Sequence, residues 1–236
     1  MSSAALKIVT LNIQHGGGTR VPAIVEYLRS QDADVVVLTE FRENANARGL
    51  RSARAANGFV HFAVSATSAR QNSVCIFALQ PFAVRAYARL SHGDRHQLVS
   101  AHFGTVAVVG VYFAQNYAKA SLFRFLLTRG LEPIEPADVV VGDFNTGLHK
   151  VDETGPTFHC AKEFAALSRT GLGDAWRSRH PEQREFSWYS SRGNGFRVDH
   201  AFASPAADNR IQRVYYDHTP RESRCTDHSA LVVHAD

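Results

Sequence analysis

Six short segments of this chain set a carboxylate, carboxamide, phenol or imidazole beside an apolar run: Leu11-Asn12, Leu38-Thr39-Glu40, Val111-Tyr112, Gly142-Asp143-Phe144-Asn145, Val198-Asp199-His200 and Thr226-Asp227-His228. An apolar strand that stops this way leaves its polar side chains at the carboxyl edge of a sheet, where open α/β sheets build their sites. If those edges converge, Asn12, Glu40, Asp143, Asn145, Asp199, Asp227 and His228 supply hard oxygen donors, few nitrogens and no thiolate. That set suits Mg²⁺ or Mn²⁺ and argues against zinc, and the usual partner of such a metal is a phosphate. Hydrolysis of a phosphate ester then has its parts. The metal neutralises developing charge, a carboxylate orients or deprotonates water, and a histidine oriented by an aspartate adds positive charge.

Each segment alone also has a bland reading. Asp143 and Asn145 form an ordinary strand-to-turn Asp-x-Asn, Asp227-His228 a turn before a last strand, and Asp199 a strand end. Glu40 is harder to explain that way, because an unpaired carboxylate closing a doubly buried strand is costly. Recurrence of the pattern in six segments favours function. The tract Gly16-Gly17-Gly18 lacks the lysine and spacing of a P-loop, so it reads as a turn beside Asn12. His15, His149, His159 and His200 read as solvated or hydrogen-bonded, with no ligand role assigned. Arg20, Arg42, Arg70, Arg95 and Arg192 read first as solvated surface, with a phosphate-binding rim as the alternative.

The elements that must position these groups follow from periodicity. Residues 6–11 read as a strand, 21–29 as an amphipathic helix carrying Val21, Ile24, Val25 and Leu28 on one face, and 34–39 as a strand buried on both faces. A helix is expected over 44–56. Strands follow at 59–64, 73–78, 82–90, 97–103 and 105–112, a meander that should be antiparallel. A helix over 119–129, the strand leading to Asp143, a helix over 162–169 and strands at 197–203, 211–216 and 230–234 complete the chain. No repeat or linker interrupts it, so one α/β domain over residues 1–236 is expected, with two sheets packed face to face and helices outside.

Composition is that of a globular protein: 44% apolar and 20% charged residues over 236 positions, enough for one large core. No apolar run reaches the length of a membrane span, and the first residues lack a secretory signal, so a cytoplasmic protein without membrane attachment is expected. Cys75, Cys160 and Cys225 have no metal-site or disulfide spacing and read as reduced structural thiols. Net charge is +4, carried by 22 Arg against 4 Lys, and a pI near 9.1 suits a polyanionic partner.

In order and approximate spacing the six segments resemble the motifs of the endonuclease/exonuclease/phosphatase superfamily. Phe186-Ser187-Trp188-Tyr189 followed by Gly195-Phe196-Arg197-Val198-Asp199 is most similar to the exonuclease III branch of DNA-repair nucleases. The resemblance implies a four-layer α/β sandwich of two mostly antiparallel mixed sheets, a Mg²⁺ cofactor with Mn²⁺ as substitute, and phosphodiester or phosphomonoester hydrolysis. It makes Glu40 the principal metal carboxylate, with Asn12 and Asp227 beside it. Asp143 becomes the base, Asn145 holds the phosphate and fixes Asp143, Asp199 orients His228, and His228 and Tyr112 contact the phosphate. Trp188, Phe196 and Arg197 are implied substrate contacts, the aromatic pair resembling a patch that receives an extrahelical sugar. Asp174 matches a family position and reads as a structural cap.

The chain departs from the resemblance at Gln14, where relatives often carry Asn or Asp, at Phe41-Arg42, where the repair enzymes commonly show Thr-Lys, and at Gln115, which replaces a common asparagine. The activity the resemblance implies is a monomeric hydrolase on DNA, acting as a 3′ exonuclease or abasic-site endonuclease. The alternatives are RNA, a phosphoinositide or another small phosphate ester, or a catalytically silent nucleic-acid binder.

Overall fold

A computed structural model describes residues 6–128, 131 and 137–236. The chain runs β1 (Leu6–Asn12), α1 (Val21–Ser30), β2 (Val35–Phe41), α2 (Ala45–Ala56), β3 (His61–Val64), β4 (Ser73–Ala78), β5 (Leu98–Phe103) and β6 (Val106–Tyr112). It continues with α3 (Ala120–Leu127), β7 (Ala137–Asp143), α4 (Ala161–Ala166), β8 (Gly173–Asp174), α5 (Ala175–Arg179), β9 (Trp188–Tyr189) and β10 (Gly195–Phe196). Last come β11 (Asp199–Ala203), α6 (Pro205–Asp208), β12 (Ile211–Asp217), α7 (Thr219–Glu222) and β13 (Ala230–Ala235).

Two large sheets result, ordered β12-β13-β1-β2-β4-β3 and β5-β6-β7-β11-β8, with β9 and β10 forming a separate two-stranded antiparallel ribbon. Each is antiparallel except for one parallel pair, β1 with β2 and β6 with β7, and each of those pairs is bridged by a helix, α1 or α3. The doubly buried strand is plain in β2. Val35 and Val37 pack between the sheets against Val99, Val108, Val139 and Val141, while Val36 and Leu38 face Ile24, Leu28 and Leu50 of α1 and α2. On the opposite side α3 and α4 lay Leu122, Phe123, Leu126 and Phe164 on Val109, Val111, Val140 and Phe202. The layers are therefore helix, sheet, sheet, helix, as the sequence implied. A Cβ at Gly110 would lie 2.8 Å from both Val37 and Val74, so glycine lets the sheets approach there.

Some boundaries differ from expectation. The supposed meander is split: β3-β4 is a hairpin of the first sheet and β5-β6 a hairpin of the second. Residues 82–90 form no strand beyond one bridge from Ala83 to His102. The helix expected over 119–129 begins as a 3₁₀ turn at Asn116–Lys119 and continues as α3, and Arg129 lies outside the described residues. Asn44 caps α2 by accepting from the Asn46 and Ala47 N–H groups, and Asp174 caps α5 in the same way through Trp176 and Arg177. Cys75, Cys160 and Cys225 are free, buried thiols. No helix among the described residues is long and apolar enough to cross a membrane.

Candidate active site

Strand parity decides which side chains meet. Ile8, Tyr112, Val139, Val141, Ala201 and Ala203 belong to the core between the sheets. Asn12, Asp143 and Asp199 stand an even number of residues from these inward positions, so they close the same faces at one end of the sandwich. Across the second sheet Tyr112 is paired with Asp143, and Asp143 with Asp199, a single row over β6, β7 and β11. Asp143 is positioned by Gly142, whose φ of 146° and close approach to the Val111 carbonyl leave no room for a Cβ, which would sit 2.0 Å from that oxygen.

Glu40 breaks the parity. Counted from Val36 and Leu38 it belongs on the helix side of β2, yet its carboxylate meets Asn12. A bulge explains this: Thr39 pairs with Val74 and Phe41 with Ser73, leaving Glu40 as the extra residue at φ 54°. Bulges re-aim side chains beside sites, and a non-glycine residue in that conformation costs about 1–3 kcal/mol. The loop after Asn12 holds it in place. The Gly16 N–H donates to the Glu40 carbonyl at 2.8 Å, the His15 N–H to Glu40 Oε2 at 2.8 Å, and Asn12 Nδ2 to Glu40 Oε1 at 3.3 Å.

Asn12 joins both sheets, since Nδ2 also donates to Asp143 Oδ2 at 2.9 Å. Its own carboxamide oxygen is held by the Gln14 N–H at 2.8 Å. The other Asp143 oxygen accepts the Asn145 backbone N–H at 2.8 Å, so Asn145 fixes Asp143 by its main chain. The Asn145 side chain is itself oriented, donating to the Phe113 carbonyl at 2.7 Å and accepting from Gln115 Nε2 at 2.6 Å. Gln115 thus fixes the Asn145 carboxamide.

Across the cavity His228 Nδ1 is bonded to Asp199 Oδ2 at 2.8 Å, which leaves Nε2 for a substrate. Asp199 is fixed from behind: Ser187 Oγ accepts its N–H, and the Tyr216 hydroxyl donates to its carbonyl. Asp143, Asp199 and His228 present atoms within 4.8 Å of one another. Because His228 and Asp199 already share a hydrogen bond, this trio reads as proton-handling machinery.

Burial and the Asp199 charge push the Asp143 carboxyl up to about 7, against the pull of His228 and the Asn145 N–H. For His228, burial works against the charged form, but Asp199, by charge and hydrogen bond, outweighs it and raises the imidazole, with Asp143 and Asp227 adding to the rise. Burial, then Glu40 and Asp143, raise the Tyr112 phenol, so it stays a donor at neutral pH. Asn72 Nδ2 donates to that phenol at 3.2 Å.

The remaining expected residues divide. Trp188 and Phe196 line the same cavity of about 390 Å³, their rings 5.6 Å apart, and Trp188 Nε1 donates to Asp227 Oδ2 at 3.1 Å. Arg197 does not reach the cavity and is corrected here. It is fully buried, with Nε on Asp152 Oδ1 and Nη2 on Asp174 Oδ2, both at 2.7 Å, and its guanidinium lies 5.0 Å from the Trp176 ring. It lies in the non-strand segment between β10 and β11, where these two carboxylates draw its side chain into the fold.

Two residues were missed. Lys119 lines the cavity, is buried, donates to the Asn145 carbonyl, and is lowered by burial to about 8. As one of four lysines in an arginine-rich chain it carried a signal in its residue type. His15, to which no ligand role was assigned, places Nδ1 2.8 Å from Glu40 Oε2. Only its neighbourhood to Asn12 could have indicated that.

The donor chemistry fits a divalent cation. Glu40, Asp143, Asp199 and Asp227 crowd one end of the sandwich, and among the described residues none has an Arg or Lys ion pair, histidines being their only partners of that kind. Carboxylates assembled without permanent counter-charge suit a hard cation on oxygen ligands, with Glu40, Asp227 and Asn12 as the groups to hold it.

Solved structures share the architecture. The 3′-5′ exonuclease NExo from Neisseria meningitidis superposes with a TM-score of 0.83 at 24% identity, covering 98% of this chain and 100% of that one. The 3′ phosphatase NExo from Neisseria, bound to a product DNA hairpin, gives 0.83 at 23%, with 98% and 99% covered. An AP endonuclease from Archaeoglobus fulgidus gives 0.80 at 22%, again with 98% and 99% covered. The Endonuclease/Exonuclease/phosphatase family model matches residues 9–228, from β1 through His228, and the chain belongs to that family.

Proposed function

We propose that this protein hydrolyses phosphate ester bonds of DNA with a bound divalent cation, Mg²⁺ or in its place Mn²⁺, as a 3′ exonuclease or abasic-site endonuclease of the exonuclease III type. The observation that carries the reading is Asp143, held by Asn12 and Asn145 within 4.8 Å of the Asp199–His228 pair, with Glu40, Asn145 and His228 lining one cavity. Similar folds belonging to a 3′-5′ exonuclease, a DNA-bound 3′ phosphatase and an AP endonuclease support DNA as the substrate.

Each group then has a task. The cation, held by Glu40 and Asp227 with Asn12 beside them, supplies charge neutralisation at the phosphate. Asp143, raised towards neutrality, is a base matched to a water molecule, and the Asn12 and Asn145 donors fix its orientation. Protonated His228 offers Nε2–H to a phosphate oxygen, and Asp199 preserves both its tautomer and its charge. The Tyr112 hydroxyl and the second N–H of the Asn145 amide are further donors for the same phosphoryl group. Trp188 and Phe196 give an apolar wall on which a deoxyribose rests. Every group comes from one chain, so a monomer suffices.

The test is a substrate panel assayed with Mg²⁺ and with Mn²⁺: duplex DNA carrying an abasic analogue, a recessed 3′ end, a 3′-phosphate end, RNA, and a soluble phosphoinositide. Cleavage or dephosphorylation of a DNA substrate at the highest kcat/KM is expected. Preference for RNA or the phosphoinositide would overturn the reading.

A further inference from the structure

Beyond the catalytic cavity the chain has a second, shallower groove of about 360 Å³, and Gln14 and Asp227 line both. Its walls carry Arg20, Arg221 and Arg224 together with Tyr189. Among the described residues none of these arginines is ion-paired. Arg20 donates to the carbonyls of Gln14 at 2.9 Å and Cys225 at 3.2 Å, which fastens it between the loop after Asn12 and the segment before Asp227. Arg221 Nε donates to Ser229 Oγ at 3.0 Å, and its guanidinium sits 4.7 Å from the Tyr189 ring centre. Arg224 is exposed.

Some arginines elsewhere are neutralised by acids, as Arg51 by Glu43, Arg179 by Asp208 and Arg197 by two aspartates. Three that converge without such partners, with Asp227 as the sole carboxylate on their walls, leave a surplus of positive charge beside the hydrolytic centre. A planar fork of N–H donors is matched to phosphate oxygens. Tyr189 adds an exposed aromatic ring to the same wall, and stacking on such a ring is how a nucleobase of any sequence is held. An inositol phosphate would use the charge and leave the ring idle.

We infer that the Arg20/Arg221/Arg224 groove is a second phosphate subsite, which takes the internucleotide phosphate next to the scissile one and seats the attached base against Tyr189. This rests on the reading of the protein as a DNA hydrolase and deepens it, because it makes a chain of nucleotides a better substrate than an ester with one phosphate. Arg20 is tied to two loops and serves partly as scaffold. Arg221 and Arg224 are the groups free to be tested.

The experiment compares wild type with Arg221→Gln, Arg224→Gln and the double variant. Binding of a labelled duplex with a recessed 3′ end is measured in EDTA across a salt series, and kcat/KM with Mg²⁺ is measured on that duplex and on bis(p-nitrophenyl) phosphate. Each substitution should lower the slope of log K against log salt by about one, the signature of one lost phosphate contact. In the double variant the ratio of kcat/KM for duplex to that for the small ester should fall by about a hundredfold, roughly tenfold per contact. An unchanged salt slope and ratio, in a wild type that cleaves DNA, would overturn the subsite and leave the DNA reading intact. A parallel loss on both substrates would also overturn it, since the arginines would then act through the catalytic centre. A wild type that hydrolyses the small ester but no DNA overturns the DNA reading and the subsite together.

Discussion

Asp143 is caught between two requirements. To act as the proposed base it must be ionised, yet it is buried a short distance from Asp199, and both facts raise its pKa. Its folded value of about 7 exceeds the ordinary 3.8, so the native state holds a proton that the unfolded chain releases. The sign follows from linkage. This group contributes nothing below pH 3.8, costs progressively more as pH rises from there to about 7, and destabilises the apo protein fully above that. Asp143→Asn keeps the shape and removes the charge. In EDTA at pH 8 the variant should melt above wild type, by roughly 2–4 °C for each kcal/mol of cost relieved in a chain of this length, and the difference should vanish near pH 3.5. With cation present its kcat should fall by about a thousandfold or more. A lower Tm at pH 8, or turnover within tenfold of wild type, would sink this account. At this scale the sequence was legible wherever the chemistry sits in a short motif, as at Asp143-Phe144-Asn145. It gave only weak hints of Lys119 and His15, whose contacts exist because distant segments fold against them.

At the scale of elements, period-two burial was readable and its interruptions were not. The inward positions of β1, β6, β7 and β11 could be counted from the apolar runs, and that count places Asn12, Tyr112, Asp143 and Asp199 together. Glu40 arrives by a bulge that no local pattern announces, because the extra residue is defined by its partner strand. The same limit explains Arg197. Its neighbours in sequence are site residues, but its own side chain ties the segment before β11 to Asp152 in the loop after β7 and to Asp174 at the head of α5. Asp152 also receives the Leu148 N–H and Arg177, and Asp174 receives two helix N–H groups, so both acids are satisfied ions, each held below the usual carboxylate range despite burial. Removing the central cation from such a network leaves uncompensated charge. Arg197→Met should cost about 3–5 kcal/mol in urea denaturation. KM for DNA, measured where the variant remains folded, should stay within about twofold, a limit drawn from the tenfold expected of a lost phosphate contact. A raised KM with unchanged stability would restore Arg197 to the substrate.

At the scale of the whole molecule, the site is a joint. The first sheet brings Asn12 and Glu40 and leads out of Asp227 and His228 into β13, while the second brings Tyr112, Asp143 and Asp199. Their meeting concentrates four carboxylates at one end of the inter-sheet core, where repulsion favours parting the sheets. A divalent cation bound there would reverse that bias, and a ligand that binds only the native state adds its binding free energy to the stability of the domain. At a cation concentration near 100 times Kd the gain is about 2.7 kcal/mol, or roughly 5–10 °C for a chain of this length. Melts with Mg²⁺ or Mn²⁺ against EDTA should show that rise, and NaCl at equal ionic strength should not, since screening acts weakly on buried groups. Glu40→Gln separates a specific site from diffuse attraction. It removes one charge from the crowd, so its melting temperature in EDTA should equal or exceed that of wild type, while its rise with cation should be largely lost. If Glu40→Gln responds to cation as wild type does, the cation is held elsewhere, and the join between the sheets is not its binding site.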